Sequence, residues 1–175
     1  RNPNTDGLYI ADSVNHRIMY YTKNVTNRVM IAGNNESGSN TYQLNNPRGL
    51  YFDSLTNSLV IVNHGTANVV RWTIGASNWT LIANNVNASS NLVMSSPIDV
   101  TFDPMGNMYI ADRANHRILM FKSAGQNRVN IVGTYLVSGS NATLLNSPTS
   151  VELDAQLNLY VTDSNNHRIQ KFLRY

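Results

Sequence analysis

The sequence predicts an all-β fold made of repeated four-stranded antiparallel units. An eleven-residue phrase recurs along the chain, and a degraded copy, LVIVNHGTANVV, fills the slot at 59–70. The copies begin about fifty residues apart, and a fixed period of this length is typical of a repeat architecture with one supersecondary unit per period. The three clear copies are LYIADSVNHRI at 8–18, MYIADRANHRI at 108–118 and LYVTDSNNHRI at 159–169.

The second period shows the elements of one unit in order. Short runs rich in Val, Ile, Leu, Tyr and Trp are bounded by Asn, Asp, Gly and Ser, which predicts strands separated by turns. No segment has ten or more residues at helical spacing, so no helix is predicted. The predicted strands of this period are RGLYFD at 48–53, SLVIVN at 58–63, NVVRWTI at 68–74 and WTLIAN at 79–84.

The other periods repeat this pattern with differences at the two ends. The first repeat lacks an innermost strand and the last lacks an outermost one. Predicted strands are 7–12, 16–22 and 28–33 in the first repeat, 98–103, 108–112, 116–122 and 128–133 in the third, and 149–154, 159–163 and 167–173 in the last. We assign the repeats to 1–46, 47–96, 97–147 and 148–175, as segments of one domain over 1–175.

Connections and strand composition favour a β-propeller. Links of a few residues within a unit are too short for parallel crossovers. Runs such as LVIV and ILMF do not alternate, as expected for sheets buried on both faces by stacking. Each long loop between repeats carries an apolar residue three positions before a proline, and we expect this residue to fill the gap between neighbouring units. These apolar residues are Leu44, Met94 and Leu145.

Composition excludes several classes of site. The chain has no cysteine, which excludes disulfides and thiolate zinc sites. No apolar run is long enough to predict a membrane-spanning helix, so we expect no membrane insertion. The net charge of +3 comes without any run of basic residues, which disfavours a nucleic-acid surface. No glycine-rich phosphate loop, Ser-His-Asp order or HExxH motif is present.

The phrase LYIADSVNHRI closely resembles the NHL repeat, and PRGLYFD at 47–53 is similar to that repeat's opening. Asp99 and Ser150 depart from it, because they stand where Gly49 stands in the second repeat. The resemblance implies an NHL-type propeller of about six blades, of which this chain supplies about three and a half. We therefore expect an open segment of a larger ring; a closed, irregular four-bladed ring is the alternative.

Most residues that look functional recur at the same place in three of the four repeats, which favours structural roles. For the aspartates we expect Asx-turns, with a cation-binding carboxylate ring as the alternative. For the histidines we expect packing and hydrogen bonding, with a zinc site as the alternative. The arginines are expected to pair with Asp53, Asp103 or Asp154, or else to form a basic stripe. These signature residues are Asp12, Asn15, His16 and Arg17; Asp112, Asn115, His116 and Arg117; and Asp163, Asn166, His167 and Arg168.

Residues outside the repeat register are the better candidates for contacts with a ligand. They are Arg48, His64, Arg71 and Arg113. Five N-x-S/T sequences fall in predicted turns or loops, where a glycan could be carried. Few lysines with many Asn, Ser and Thr residues are typical of secreted proteins, so we expect an extracellular or cell-surface protein, with the cytoplasm as the alternative. The candidate glycosylation sites are Asn24, Asn35, Asn78, Asn87 and Asn141.

The sequence favours a non-catalytic binding platform for a protein or peptide, without metal or cofactor. The resemblance also admits RNA binding or substrate recruitment in a ubiquitin ligase. A more remote alternative is a metalloenzyme like the peptide-amidating lyase, whose zinc is held by histidines at the channel. That alternative needs histidines outside the repeat register, and His64 is the only one.

Overall fold

The computed structural model describes residues 6–22, 28–86, 88–123 and 127–174, and these residues form four antiparallel sheets. The first sheet contains β1 (Leu8–Asp12), β2 (Arg17–Tyr21) and β3 (Arg28–Gly33). The second contains β4 (Pro47–Asp53), β5 (Ser58–Asn63), β6 (Asn68–Thr73) and β7 (Thr80–Ala83). The third contains β8 (Pro97–Phe102), β9 (Met108–Asp112), β10 (Arg117–Phe121) and β11 (Arg128–Gly133). The fourth contains β12 (Pro148–Leu153), β13 (Leu159–Asp163) and β14 (Arg168–Phe172).

Neighbouring strands in every sheet are consecutive in the chain and antiparallel. The strands begin and end within about one residue of the predicted limits. Short 3₁₀ turns are the only helical elements of the described residues, and none of these residues forms a helix capable of crossing a membrane. The all-β class is confirmed, and each sheet is a propeller-type blade.

The chain divides into two compact units, Arg1–Asn84 and Asn85–Tyr175. In the first unit, Leu44 is fully buried among residues from both sheets, including Ile18 of β2 and Ile61 of β5. A leucine buried this completely contributes about 1.5–3 kcal/mol through removal of apolar surface from water. Its predicted role between adjacent sheets is confirmed.

The second unit repeats this arrangement. Leu145 is fully buried between Ile118 of β10 and Val161 of β13, so it also joins two sheets. The four strands β8–β11 and the three strands β12–β14 thereby share one apolar core. The polar sites described next lie at the edges of these cores.

Candidate functional site

A buried ion pair closes the turn between β9 and β10. Arg117 Nε donates to Asp112 Oδ2 at 2.9 Å, and both side chains have no exposed surface. Asn115 Nδ2 donates to the same carboxylate oxygen at 2.8 Å, while the Ser95 amide donates to Oδ1 at 2.7 Å. Arg117 Nη2 also donates to the Val93 carbonyl at 2.8 Å. The pair is thus hydrogen-bonded on both sides, as a buried pair needs to be.

The same pair recurs in two other sheets. Asp163 accepts from Arg168 at 2.8 Å, and Asp12 accepts from Arg17 at 2.7 Å. Asn166 and Asn15 donate to these carboxylates at 2.9 Å each. The cause is register, because in each of these sheets the aspartate ends one strand and lies opposite the arginine that begins the next strand.

Two predictions for these residues are wrong. Asp12, Asp112 and Asp163 do not form Asx-turns, because their oxygens accept from Asn and Arg side chains and from loop amides instead. The repeat arginines do not pair with Asp53, Asp103 or Asp154, which lie at the opposite end of each sheet. Those three aspartates form the Asx-turns, each accepting from backbone amides two or more residues ahead.

Burial and hydrogen bonding set the pKa values of these carboxyl groups differently. Burial raises the pKa of Asp112, against the opposing effect of Asn115, Ser95 and Arg117. Burial also acts to raise the pKa of Asp163, but hydrogen bonds outweigh it there and the pKa is lowered.

The repeat histidines link neighbouring sheets. His16 Nδ1 accepts from the Asn46 amide at 3.0 Å, and His116 Nδ1 accepts from the Ser147 amide at 3.1 Å. Both histidines adopt the left-handed conformation that ends the 3₁₀ turn, with φ of 53° and 56°. His167 takes the same conformation in the last sheet and is exposed. Among the residues that the structure describes, no three His, Asp or Glu side chains are grouped to hold a metal ion.

The candidate ligand contacts outside the repeat register have different surroundings. Arg71 Nη1 donates to Asp53, Thr56 and Ser58 at 2.6 Å each, so this guanidinium is held within its own sheet. Arg48 and His64 belong to the first compact unit and Arg113 to the second. Arg48 and Arg113 are exposed, and His64 is half-buried. Their contact with a ligand stays a prediction.

Three of the five candidate glycosylation sites can be located. Asn35, Asn78 and Asn141 are all exposed. Asn24 and Asn87 lie outside the described residues. Exposure is what a glycan requires, and use of these sites stays a prediction.

A cavity of about 270 Å³ lies between the two sheets of the second compact unit. Its walls are apolar, with Met120, Ile131, Leu153 and Phe172 contributed by four different strands. Met105 and Leu173 also line it and are 57% and 71% exposed. We call this feature the inter-sheet cavity. An apolar space with exposed apolar residues beside it is typical of a ligand pocket.

The polar residues that line the inter-sheet cavity are Asp103, Asn107, Tyr109 and Arg174. Asp103 Oδ1 accepts from the amides of Met105 and Asn107, at 3.0 and 2.9 Å. Asp103 Oδ2 accepts from Asn107 Nδ2 at 2.7 Å and from the Tyr109 hydroxyl at 3.1 Å. Burial, reinforced by the charge of Asp103, raises the pKa of Tyr109 to about 12. Tyr109 therefore keeps its proton, and its oxygen can accept a hydrogen bond from a ligand.

Leu157 places strained backbone at this cavity. The turns after β8 and β12 are equivalent, because the Gly106 amide bonds to Asp103 O at 3.0 Å and the Leu157 amide bonds to Asp154 O at 2.9 Å. Gly106 has φ of +82°, and Leu157 adopts +64° at the same position. A leucine in this region costs about 1–3 kcal/mol, and Leu157 is one of the residues that line the cavity. Sequence analysis missed this site, although comparison of PMGN with AQLN would have shown leucine in place of glycine.

The described geometry agrees with a family match. The NHL repeat family model matches residues 94–121 and 145–172. These two segments are NHL repeats. Each matched segment runs from the buried apolar residue before the proline through three strands and the Asp-Asn-His-Arg turn. No curated protein matches this chain by sequence.

Solved structures with the same fold include β-propeller proteins of varied description. A protein of unknown function from Bacteroides thetaiotaomicron gives a TM-score of 0.78 at 15% identity, over 97% of this chain and 45% of its own. A gluconolactonase from Xanthomonas campestris gives 0.72 at 15% identity, over 98% and 56%. A chain of a nidogen/laminin complex gives 0.67 at 20% identity, over 95% and 59%. The chain spans about half the length of these structures, and the likeness concerns the fold.

Proposed function

We propose that this chain is a non-catalytic binding platform. In this proposal the inter-sheet cavity receives an apolar side chain from a protein or peptide partner. Leu157 is the observation that carries the proposal, because a strained leucine replaces glycine at a position that lines the cavity. Strained backbone of this kind clusters at binding sites, where the surrounding structure holds it in place.

The lining of the inter-sheet cavity suits an apolar side chain of a partner that also carries a hydrogen-bond donor beside it. Apolar surface buried on its walls contributes about 25 cal/mol for each Å² removed from water. The Tyr109 oxygen can accept a bond from a peptide amide or an indole N–H. Because Asp103 is already bonded to three partners, its carboxylate acts as a structural acceptor. The high pKa of Tyr109 makes this hydroxyl a poor general base at neutral pH.

The proposal includes an extracellular or cell-surface location. It is supported by the exposure of Asn35, Asn78 and Asn141, each within an N-x-S/T sequence. The fold occurs in a structure described as a gluconolactonase and in a complex of nidogen with laminin. Fold alone does not choose between such roles, so the proposal rests on the cavity.

The cavity is tested with single-residue probes of a peptide anchor. N-acetylated amides of Trp, Phe and Leu are titrated into the full chain, with the glycine amide as the control ligand. Binding is followed by changes in amide NMR signals. We expect saturable changes at Met105, Tyr109 and Leu157 with the apolar probes and none with the glycine probe. Absence of saturable changes at these residues with every probe would contradict the proposal.

Two substitutions at Leu157 separate strain from binding. Leu157→Gly removes both the side chain and the strain, whereas Leu157→Ala removes the side chain and keeps the strain. Both should weaken probe binding at least about fivefold, and only Leu157→Gly should raise stability, by about 1 kcal/mol. Leu55→Ala is the matched control, because Leu55 is 96% exposed in the first compact unit. Binding unchanged in both Leu157 variants would refute the role of this residue.

The location is tested on the native protein by enzymatic removal of N-glycans. A fall in apparent mass supports passage through the secretory route. An unchanged mass favours the cytoplasm, and RNA binding then becomes the next function to measure.

A further inference from the structure

Arg128 is a buried cation with few partners. It begins β11, and only 7% of its surface is exposed. Its guanidinium lies 4.9 Å from the centre of the Phe121 ring, and Nη1 reaches the Leu92 carbonyl at 3.5 Å, the outer limit of a hydrogen bond. No carboxylate among the described residues is paired with it. Among the residues that the structure describes, most of its five N–H donors therefore have no acceptor.

The first compact unit places two different residues at this position. Arg28 begins β3 opposite Tyr21, as Arg128 begins β11 opposite Phe121, and Arg28 is exposed. Trp79 precedes β7 at the place that Arg128 occupies in β11, and its indole nitrogen donates to the Gln43 carbonyl at 2.8 Å. In the second unit the corresponding carbonyl, that of Val93, already accepts from Arg117 and Asn115. The Val93 carbonyl is thus satisfied without Arg128, which differs from Arg28 in being buried.

A second cavity opens beside Arg128. Its volume is about 470 Å³, and its lining includes Arg128, Lys122, Asn127, Ser89 and Leu92. We call it the Arg128 cleft; it shares no lining residue with the inter-sheet cavity. Lys122 is exposed and adds a second positive charge.

Electrostatics in the Arg128 cleft favour an anion. Burial lowers the pKa of Arg128, and the charge of Arg117 lowers it further. Arg117 is itself neutralised by Asp112, whereas Arg128 and Lys122 have no such pairing among the described residues. A buried cation without a counter-charge is unfavourable, and a bound oxyanion with bidentate geometry relieves it.

We propose that the Arg128 cleft binds an anionic group of the carboxylate, sulfate or phosphate class. The group is held by the guanidinium of Arg128, with Lys122 as the second cation and Asn127 and Ser89 as further donors. Because the cleft is larger than a free ion, the anion is carried by an organic molecule whose carbon part contacts Leu92. This site goes beyond the proposed function of the inter-sheet cavity.

Acetate, sulfate and inorganic phosphate are the probes, titrated separately into the full chain at constant ionic strength. Binding is measured from amide NMR shifts of Ser89, Leu92 and Asn127. We expect saturation with at least one probe, and its geometry, planar or tetrahedral, identifies the class of anion. No saturation with any probe, or shifts spread evenly over the surface, would overturn the proposal.

Substitutions of the two cations test whether the anion binds in the Arg128 cleft. Arg128→Gln should weaken binding at least about tenfold, and Arg128→Lys should weaken it less because charge is kept and the bidentate fork is lost. Lys122→Gln should weaken binding about threefold. Arg28→Gln is the matched control, an exposed arginine at the equivalent position of β3 and outside the cleft, and should bind as the parent does. Equal affinity in the parent and in Arg128→Gln would overturn the assignment.

A stability readout separates anion binding from a packing role. Without added anion, Arg128→Gln should melt at the same temperature as the parent or higher, because an unpaired buried charge is removed. With the binding anion, the parent should gain thermal stability and Arg128→Gln should not. An equal gain in both proteins would contradict the proposal. Should Arg128→Gln fail to fold, Lys122→Gln and Arg128→Lys still decide the outcome through their weakened affinity.

Discussion

Asp99 of β8 accepts a hydrogen bond from the Ser150 hydroxyl of β12 at 2.7 Å. The same carboxylate oxygen accepts from the Val151 amide at 3.2 Å. Asp99 and Ser150 are the two residues that depart from the glycine of the NHL opening, and neither has a positive φ. The two departures therefore complement each other, because together they tie the first strand of one sheet to the first strand of the next.

This pair predicts a measurable coupling. Asp99→Ala and Ser150→Ala should each destabilise the chain by about 1 kcal/mol, through loss of a hydrogen bond. The double variant should lose less than the sum, with a coupling of about 0.5–1.5 kcal/mol. Urea unfolding of the four proteins measures it. Ser54→Ala, at an exposed turn residue, should leave stability unchanged; strictly additive effects at Asp99 and Ser150 would refute the link.

Breaking the buried Asp112–Arg117 ion pair should cost more stability than breaking the partly exposed Asp12–Arg17 pair. Asp112→Asn leaves the fully buried Arg117 without its counter-charge, which should cost about 3–5 kcal/mol. Asp12→Asn breaks the equivalent pair where Arg17 and Asp12 are 30% and 27% exposed, and should cost about 1 kcal/mol or less. Chemical unfolding compares the two variants. Similar losses would show that burial does not set the strength of this pair.

The second repeat contains a buried side-chain amide without a hydrogen-bond partner, and two substitutions there should restore the ion pair of the other repeats. Asn63 stands in the place of the signature aspartate, and its Nδ2 atom is buried without a hydrogen-bond partner. Asn68 lies opposite it in the register that arginine takes elsewhere. Asn63→Asp alone should destabilise by about 1–3 kcal/mol, because it buries an unpaired charge. Adding Asn68→Arg should recover much of this loss, and a double-mutant cycle without favourable coupling would contradict the prediction.

Stability should fall in acid through Asp53. Burial alone would raise the pKa of Asp53, but hydrogen bonds from Arg71 and Thr56 outweigh it and hold the pKa below the ordinary 3.8. A lowered pKa contributes stability that is present above pH 3.8 and is lost as pH falls through the folded-state value. The stability difference between parent and Arg71→Gln should therefore shrink below that pH. Unfolding curves across the acid range measure it, and Arg48→Gln, at an exposed arginine, should show no such trend.

The sequence was sufficient to predict the strands and the two leucines that pack between neighbouring sheets. Asn, Asp and Gly punctuate each repeat, so strand limits could be placed, and the spacing of Leu44 and Leu145 before proline identified their buried role. The hydrogen-bond partners of the signature residues could not be predicted from the sequence, because Asp112 and Arg117 are brought together by the register between two strands. Asx-turns were assigned to the wrong aspartates for the same reason.

The candidate sites lay beyond sequence reasoning for a different reason. The inter-sheet cavity is a gap between two sheets, and no single motif encodes it. Leu157 draws attention only once its positive φ is known. Arg128 resembles any strand residue until its burial and its shortage of partners are seen.

The histidine bonds show that a repeat is completed only by the last residue of its trailing loop. His116 and the Ser147 amide that bonds to its Nδ1 atom both belong to the repeat 97–147, and His16 and Asn46 both belong to the repeat 1–46. A cut made inside the loop, before the residue that precedes proline, would leave the histidine acceptor without its donor. Shuffling or grafting of these repeats should succeed only when the exchanged piece runs through that residue.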